Sequence, residues 1–154
     1  MLTDTDRQSF RDTPSQFVGD FIRRFVKESP LNRLQEMDND PIFEEPLVGF
    51  ASGHDPLFAE YKRVIGDRHL TPQEVMEKAG KVASRSLSVV CWALPIAVET
   101  KRSNRPETTY PSRRWGHTRF HGENFNDALR NAVAGMLEEV GYPSVAPVTS
   151  PFYW

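Results

Sequence analysis

"SLSVVCWALPI" (86–96), "AVETKRSNRPETTYPSRRWGHTRFHGEN" (97–124), "FNDALRNAVAGMLEEVGY" (125–142) and "PSVAPVTSPFYW" (143–154) follow one another without a break, and their order decides the fold. The first contains a mostly apolar run, 87–94, rich in Val and carrying Trp92, which has the length of a buried strand and is too short for a helix. Pro95 closes it. In the third, Phe125, Ala128, Leu129, Ala132, Val133, Met136, Leu137 and Val140 recur at three- and four-residue spacing. That spacing predicts a helix from Asn124 to Val140, roughly 25 Å long at 1.5 Å per residue, with one apolar stripe. Asn124 is its expected N-cap, with Asp127 three residues on, and Gly141 stands where a left-handed C-cap belongs. A second short apolar run, 143–148, follows. Strand, loop, helix, strand is a βαβ-like order, which lays a helix on a sheet and leaves the basic loop at the strand's carboxyl end.

Composition bounds the alternatives. A chain of 154 residues with 38% apolar content suits one domain with a real core. Net charge is −2 with 26% charged residues, which argues against a globally basic nucleic-acid binder and against a disordered chain. The single cysteine, Cys91, excludes an internal disulfide and cannot by itself ligate an iron–sulfur cluster or a cysteine-rich zinc. It is expected to be an inert thiol within the buried strand. No run approaches 18 apolar residues and the first eight residues are polar, so neither a membrane span nor a signal peptide is expected, and a cytoplasmic setting follows most easily.

Residues 1–12 are expected to be a mobile polar lead-in, with 13–154 forming a single domain. Thr13, Pro14 and Gln16 predict a capped helix start, and Phe17, Val18, Phe21, Ile22, Phe25 and Val26 form its apolar stripe. From Glu28 to Glu60, eight acidic residues face only Arg33, which predicts exposed irregular chain. Within it, 47–51 can be a strand, and Pro56 to Val64 reads as a short helix stopped near Gly66. His54 and Asp55 could ligate a metal or relay a proton, or could form a turn and a helix cap. Thr71, Pro72 and Glu74 mark a further capping box, opening a helix through Val75, Met76, Ala79 and Val82.

The chemically suggestive stretch is the expected loop after Pro95. Lys101, Arg102, Arg105, Arg113, Arg114 and Arg119 face Glu107 alone, and Tyr110, Trp115, His117, Phe120 and His121 lie among them or close by. Arginine offers bidentate donors to phosphate or carboxylate, and the rings offer stacking faces, which suits an anionic, ring-bearing ligand. Arg113, Arg114, Trp115, His117, Arg119 and Phe120 are therefore the candidate anion- or cofactor-binding residues. The alternative is that these arginines pair with the acidic 28–60 segment. His117 and His121 have the four-residue spacing of a two-histidine metal clamp. With the helix expected only after Gly122 and no third ligand close in sequence, no metal site is assigned.

"SVVCWALPIAVETKRSNR", "RRWGHTRFHGENFNDALRNAV", "GYPSVAPVTSPF" and "EEPLVGFASGHDPLF" resemble the amino-terminal domain of iron–sulfur proteins related to epoxyqueuosine reductase, themselves distantly similar to reductive dehalogenases. Arg119, Phe120, Gly122 and Phe125 fall on that family's arginine–aromatic motif. The resemblance implies an α+β fold, a mixed sheet flanked by helices on a nitroreductase-like scaffold. It also implies a cytoplasmic reductase that uses two [4Fe–4S] clusters and a cobalamin. None of these cofactors has ligands within this chain, so the chain is expected to be the front part of a longer protein, inactive alone, with a downstream iron–sulfur domain as its partner. Thr149 stands where the family carries a presumed proton-donating Asp, and a threonine hydroxyl supplies no titratable proton near neutral pH. The alternative class is a non-catalytic interaction module whose basic loop binds an acidic partner or RNA.

Overall fold

A computed structural model describes residues 2–82 and 86–152. Two helices open the chain, α1 (Asp4–Asp12) and α2 (Pro14–Glu28). The expected mobile lead-in is instead the helix α1. A reciprocal capping box joins Thr3 and Asp6 at its start, and Phe10, 4% exposed, enters the core against Phe17 and Tyr142. Its sequence reads as polar because one aromatic anchor suffices to dock so short a helix. Thr13 does not cap α2 with its side chain: it is also the last residue of α1's hydrogen-bonded frame, and its N–H donates to the Ser9 carbonyl.

The long helix α6 (Arg113–Glu139) is the spine. It begins at Arg113, not after Asn124, because Ser112 supplies the N-cap, its hydroxyl accepting the Trp115 N–H at 3.1 Å. Phe125, Leu129, Val133 and Met136 are buried against Val18, Ile22 and Val26 of α2. Gly141, at φ 90, ends the helix, and the Tyr142 N–H reaches back to the Leu137 carbonyl at 2.9 Å, as a left-handed C-cap requires.

The α+β class holds, with strands paired in two small antiparallel ladders instead of one mixed sheet. Strands β1 (Arg33–Leu34) and β2 (Asp40–Pro41) flank a tight connection. Strands β3 (Leu47–Ser52) and β4 (Ser88–Ala93) pair over six positions, Leu47 opposite Ala93 through Ser52 opposite Ser88. Val48, Val90 and Trp92 pack toward the helices. Cys91 belongs to the opposite face and is exposed, which corrects its expected burial: only one face of this ladder is covered by the described helices. The expected final strand is also absent. Residues 143–146 are irregular and Pro147–Thr149 is a 3-10 turn, since two prolines lack ladder donors and Ser144 is drawn to α6. Its N–H donates to Glu138 and its hydroxyl to the Ala134 carbonyl. The βαβ order is therefore not realised, and the expected chain end at Trp154 lies outside the described residues.

Asn32, 3% exposed, joins these layers. Its amide donates to the Val26 and Phe43 carbonyls and its oxygen accepts the Phe43 N–H. Helices α3 (Pro56–Ile65) and α4 (Pro72–Lys78) lie outside the main core, capped by Asp55 and by the Thr71–Glu74 box, and α4 stops at Lys78, short of Val82. The short helix α5 (Val98–Asn104) precedes α6.

Candidate functional site

The residues expected on a loop stand on helices. Arg113 to Phe120 form the first turns of α6, and Lys101 and Arg102 belong to α5. The sequence conceals this helical start because its inward positions are small or polar. Thr118, 3% exposed, hydrogen-bonds Thr100 across to α5 at 3.1 Å. At Gly122 a Cβ would meet the Phe43 ring at 2.8 Å, so the glycine is what lets Phe43 lie on the helix and reach Phe125.

The six cations do not act as one patch. Arg114 is drawn inward, with 14% of its side chain exposed; it donates to Asp40 at 2.7 Å and to the Thr100 hydroxyl at 3.2 Å. Asp40 belongs to the acidic 28–60 segment, so for Arg114 the ion-pairing alternative is the one realised. Arg102 pairs with Glu99 and Arg119 with Glu123, both along their own helices. Arg113 is exposed, as are Lys101 and Arg105, and none of the three has a carboxylate partner among the described residues. Phe120 is 69% exposed and Trp115 half-buried.

His117 and His121 come together on one face of α6, their rings 5.9 Å apart and inclined by 11°. Opposite them stands Glu36, in the connection between β1 and β2. Its Oε2 is 3.8 Å from His117 Nδ1 and 3.9 Å from His121 Nε2. Both grounds for assigning no metal site thus change: the helix already spans both histidines, and a third donor arrives from far away in sequence. Two successive turns shape the Glu36 connection, Met37 N–H to the Leu34 carbonyl and Asp40 N–H to the Met37 carbonyl, with Asp38 and Asn39 left-handed at φ 56 and 58. Asp and Asn are the side-chain types that best tolerate that region. The connection is tied at both ends, by fully buried Leu34 and by the Asp40–Arg114 pair. No local signal marks Glu36 as part of a site, because its proximity to α6 exists only in three dimensions.

The remaining candidates lie apart. Asp55 caps α3 by accepting the Leu57 N–H, and His54 Nδ1 lies 2.7 Å from the Gln73 amide, so this pair forms a turn and a cap. Thr149 is at the far end of α6, where its hydroxyl lies 2.8 Å from Asn131 Oδ1. It borders an open groove with Lys81, Asn131, Ser144 and Phe152. No helix among the described residues is long and apolar enough to cross a membrane. No protein-family model, no curated protein and no solved structure matches the chain.

Proposed function

We propose that this chain is the amino-terminal α+β module of a cytoplasmic iron–sulfur oxidoreductase of the kind related to epoxyqueuosine reductase, and that further strands and an iron–sulfur segment of the same protein complete it. The family assignment rests on the motif resemblance. The observation that carries the incompleteness is the β3–β4 ladder. Its outward face presents Leu47, Gly49, Ala51, Val89, Cys91 and Ala93 without a charged side chain, and Leu47 is 71% exposed. Neither strand has a second ladder partner among the described residues. Strands apolar on both faces belong in the middle of a covered sheet, and open ladder edges are templates for further strands.

The iron–sulfur clusters do not fit this chain alone, since its one thiol is Cys91 and a cluster takes about four thiolates. A corrinoid is not enclosed here either: the groove beside Thr149 opens to solvent. The module's role in this reading is to supply sheet, spine helix and the exposed Arg113, Arg119 and Phe120 to a pocket whose other wall comes from later residues. The interaction-module alternative is weakened at Arg114, whose inward pair with Asp40 already engages it.

The test is anaerobic purification of the product of the full open reading frame, with iron and acid-labile sulfide measured together. About eight iron atoms per chain, matching two cubane clusters, are expected. A reading frame without cysteine runs of the C-x-x-C-x-x-C-x-x-x-C type, or a product free of iron and sulfide, would overturn the assignment.

A further inference from the structure

We infer that Glu36, His117 and His121 form a binding site for a single divalent transition-metal ion with an open coordination position, separate from any iron–sulfur cluster. The three donor atoms lie within 4.8 Å of one another. Two imidazoles one helical turn apart on a single face, joined by a carboxylate from another element, are the donor set that zinc and ferrous iron take up with room left for water or substrate.

Three observations favour a ligand over a plain ion pair. First, neither imidazole hydrogen-bonds any described residue, although both are partly withdrawn from water, with side chains 27% and 34% exposed. Second, Glu36 stands 3.8 and 3.9 Å from the two ring nitrogens, too far for hydrogen bonds to either and nearly equidistant. Donor atoms held about 2.0–2.2 Å from one ion are about 3.0–3.5 Å apart, so closure calls for rotamer adjustments that draw in donors now separated by up to 4.8 Å. Third, the two rings stack at 5.9 Å and 11° and present one nitrogen each to the same carboxylate oxygen, so that a single ion set between them would reach all three donors.

The surroundings suit an exchangeable site more than a closed structural one. Glu36 keeps 45% of its side chain exposed, and Phe120, 69% exposed, stands edge-on to His121 with ring centroids 5.2 Å apart. Three protein donors under such a half-open rim leave at least one position to solvent or an added ligand. The Arg114–Asp40 pair holds the Glu36 connection against the first turns of α6 and acts as a positioning contact.

The experiment is calorimetric titration of the 154-residue chain with zinc chloride, followed by cobalt(II) spectroscopy. The expected result is one zinc per chain, a melting temperature that rises with zinc concentration, and a visible cobalt band that shifts on adding azide at the open position. Glu36→Gln, His117→Ala and His121→Ala should each weaken zinc by about tenfold or more, while His69→Ala, on a residue outside the cluster, should change nothing. Should an alanine variant fail to fold, His117→Gln and the turn variant Glu36→Gln carry the same comparison. Absence of zinc binding up to about millimolar concentration, or equal binding by the wild type and the Glu36→Gln and His117→Gln variants, would overturn the site. Iron and sulfide content plays no part in this readout, so it fails or holds independently of the oxidoreductase assignment.

Discussion

From Phe125 onward α6 turns Phe125, Leu129, Val133 and Met136 onto α2, whereas before Phe125 it turns Thr118 and Gly122 toward α5 and Phe43 and leaves Arg114, His117 and His121 beside the 34–40 connection. Both halves belong to one helix with the same backbone geometry. The later half is held by area removed from water, which is non-directional and shows up as an apolar period. The earlier half is held by polar contacts between specified partners, Thr118 with Thr100 and Arg114 with Asp40, and by a glycine that admits a ring. A helix can therefore be equally regular at its two ends and depend at each on a different kind of interaction.

The largest effect expected from that contrast is in the later half. Leu129 is fully buried, so Leu129→Asp places a carboxylate where it has no partner, a cost of several kcal/mol against a net stability on the order of 5–15 kcal/mol. Loss of the cooperative thermal transition in circular dichroism is the expected outcome, and a variant with an intact melt would show that the Phe125–Met136 stripe does not hold the core.

In the earlier half the contrast sharpens between two arginines five residues apart on the same helix. Arg114→Ala removes the inward pair with Asp40 and the bond to Thr100, and should destabilise by about 1–2 kcal/mol. Arg119, with 76% of its side chain exposed and only an intrahelical partner, should tolerate alanine within about 0.5 kcal/mol. Urea midpoints of the two variants measure the difference; equal midpoints would return Arg114 to the pool of ligand-binding candidates.

The smallest effect lies outside α6, where the ammonium of Lys62 and the Thr71 N–H hold the Glu74 carboxyl down to about 2 from its ordinary 4.5. A depressed carboxyl contributes stability that is fully present above pH 4.5 and is lost as pH falls through about 2. Glu74→Gln should therefore lower stability slightly across the plateau above pH 4.5 and converge with the wild type as pH falls through about 2, so that its acid limb is flatter. Thermal melts of wild type and variant from pH 5 downward read this directly, and parallel curves would show that the Lys62 contact is not maintained in solution.

How far the molecule is legible follows the same physical division. Apolar periods and caps mark α2, the later half of α6, α3 and the start of α4, because both signals lie within a few residues of one another. Helix α1 and the earlier half of α6 escape, since one buried Phe10, or Thr118 and Gly122 in place of large side chains, leave no period to read. The 87–94 run is correctly a strand, but its apolar alternation on both faces carries no information about which face is covered, and Cys91 is found on the open one. Of the candidate site, Arg113, Arg114, Trp115, His117, Arg119 and Phe120 are identifiable by side-chain chemistry alone. Their separation into a structural Arg114, an exposed Arg119 and a histidine pair facing Glu36 is settled only by packing, because burial and partner choice depend on elements that local sequence cannot bring together.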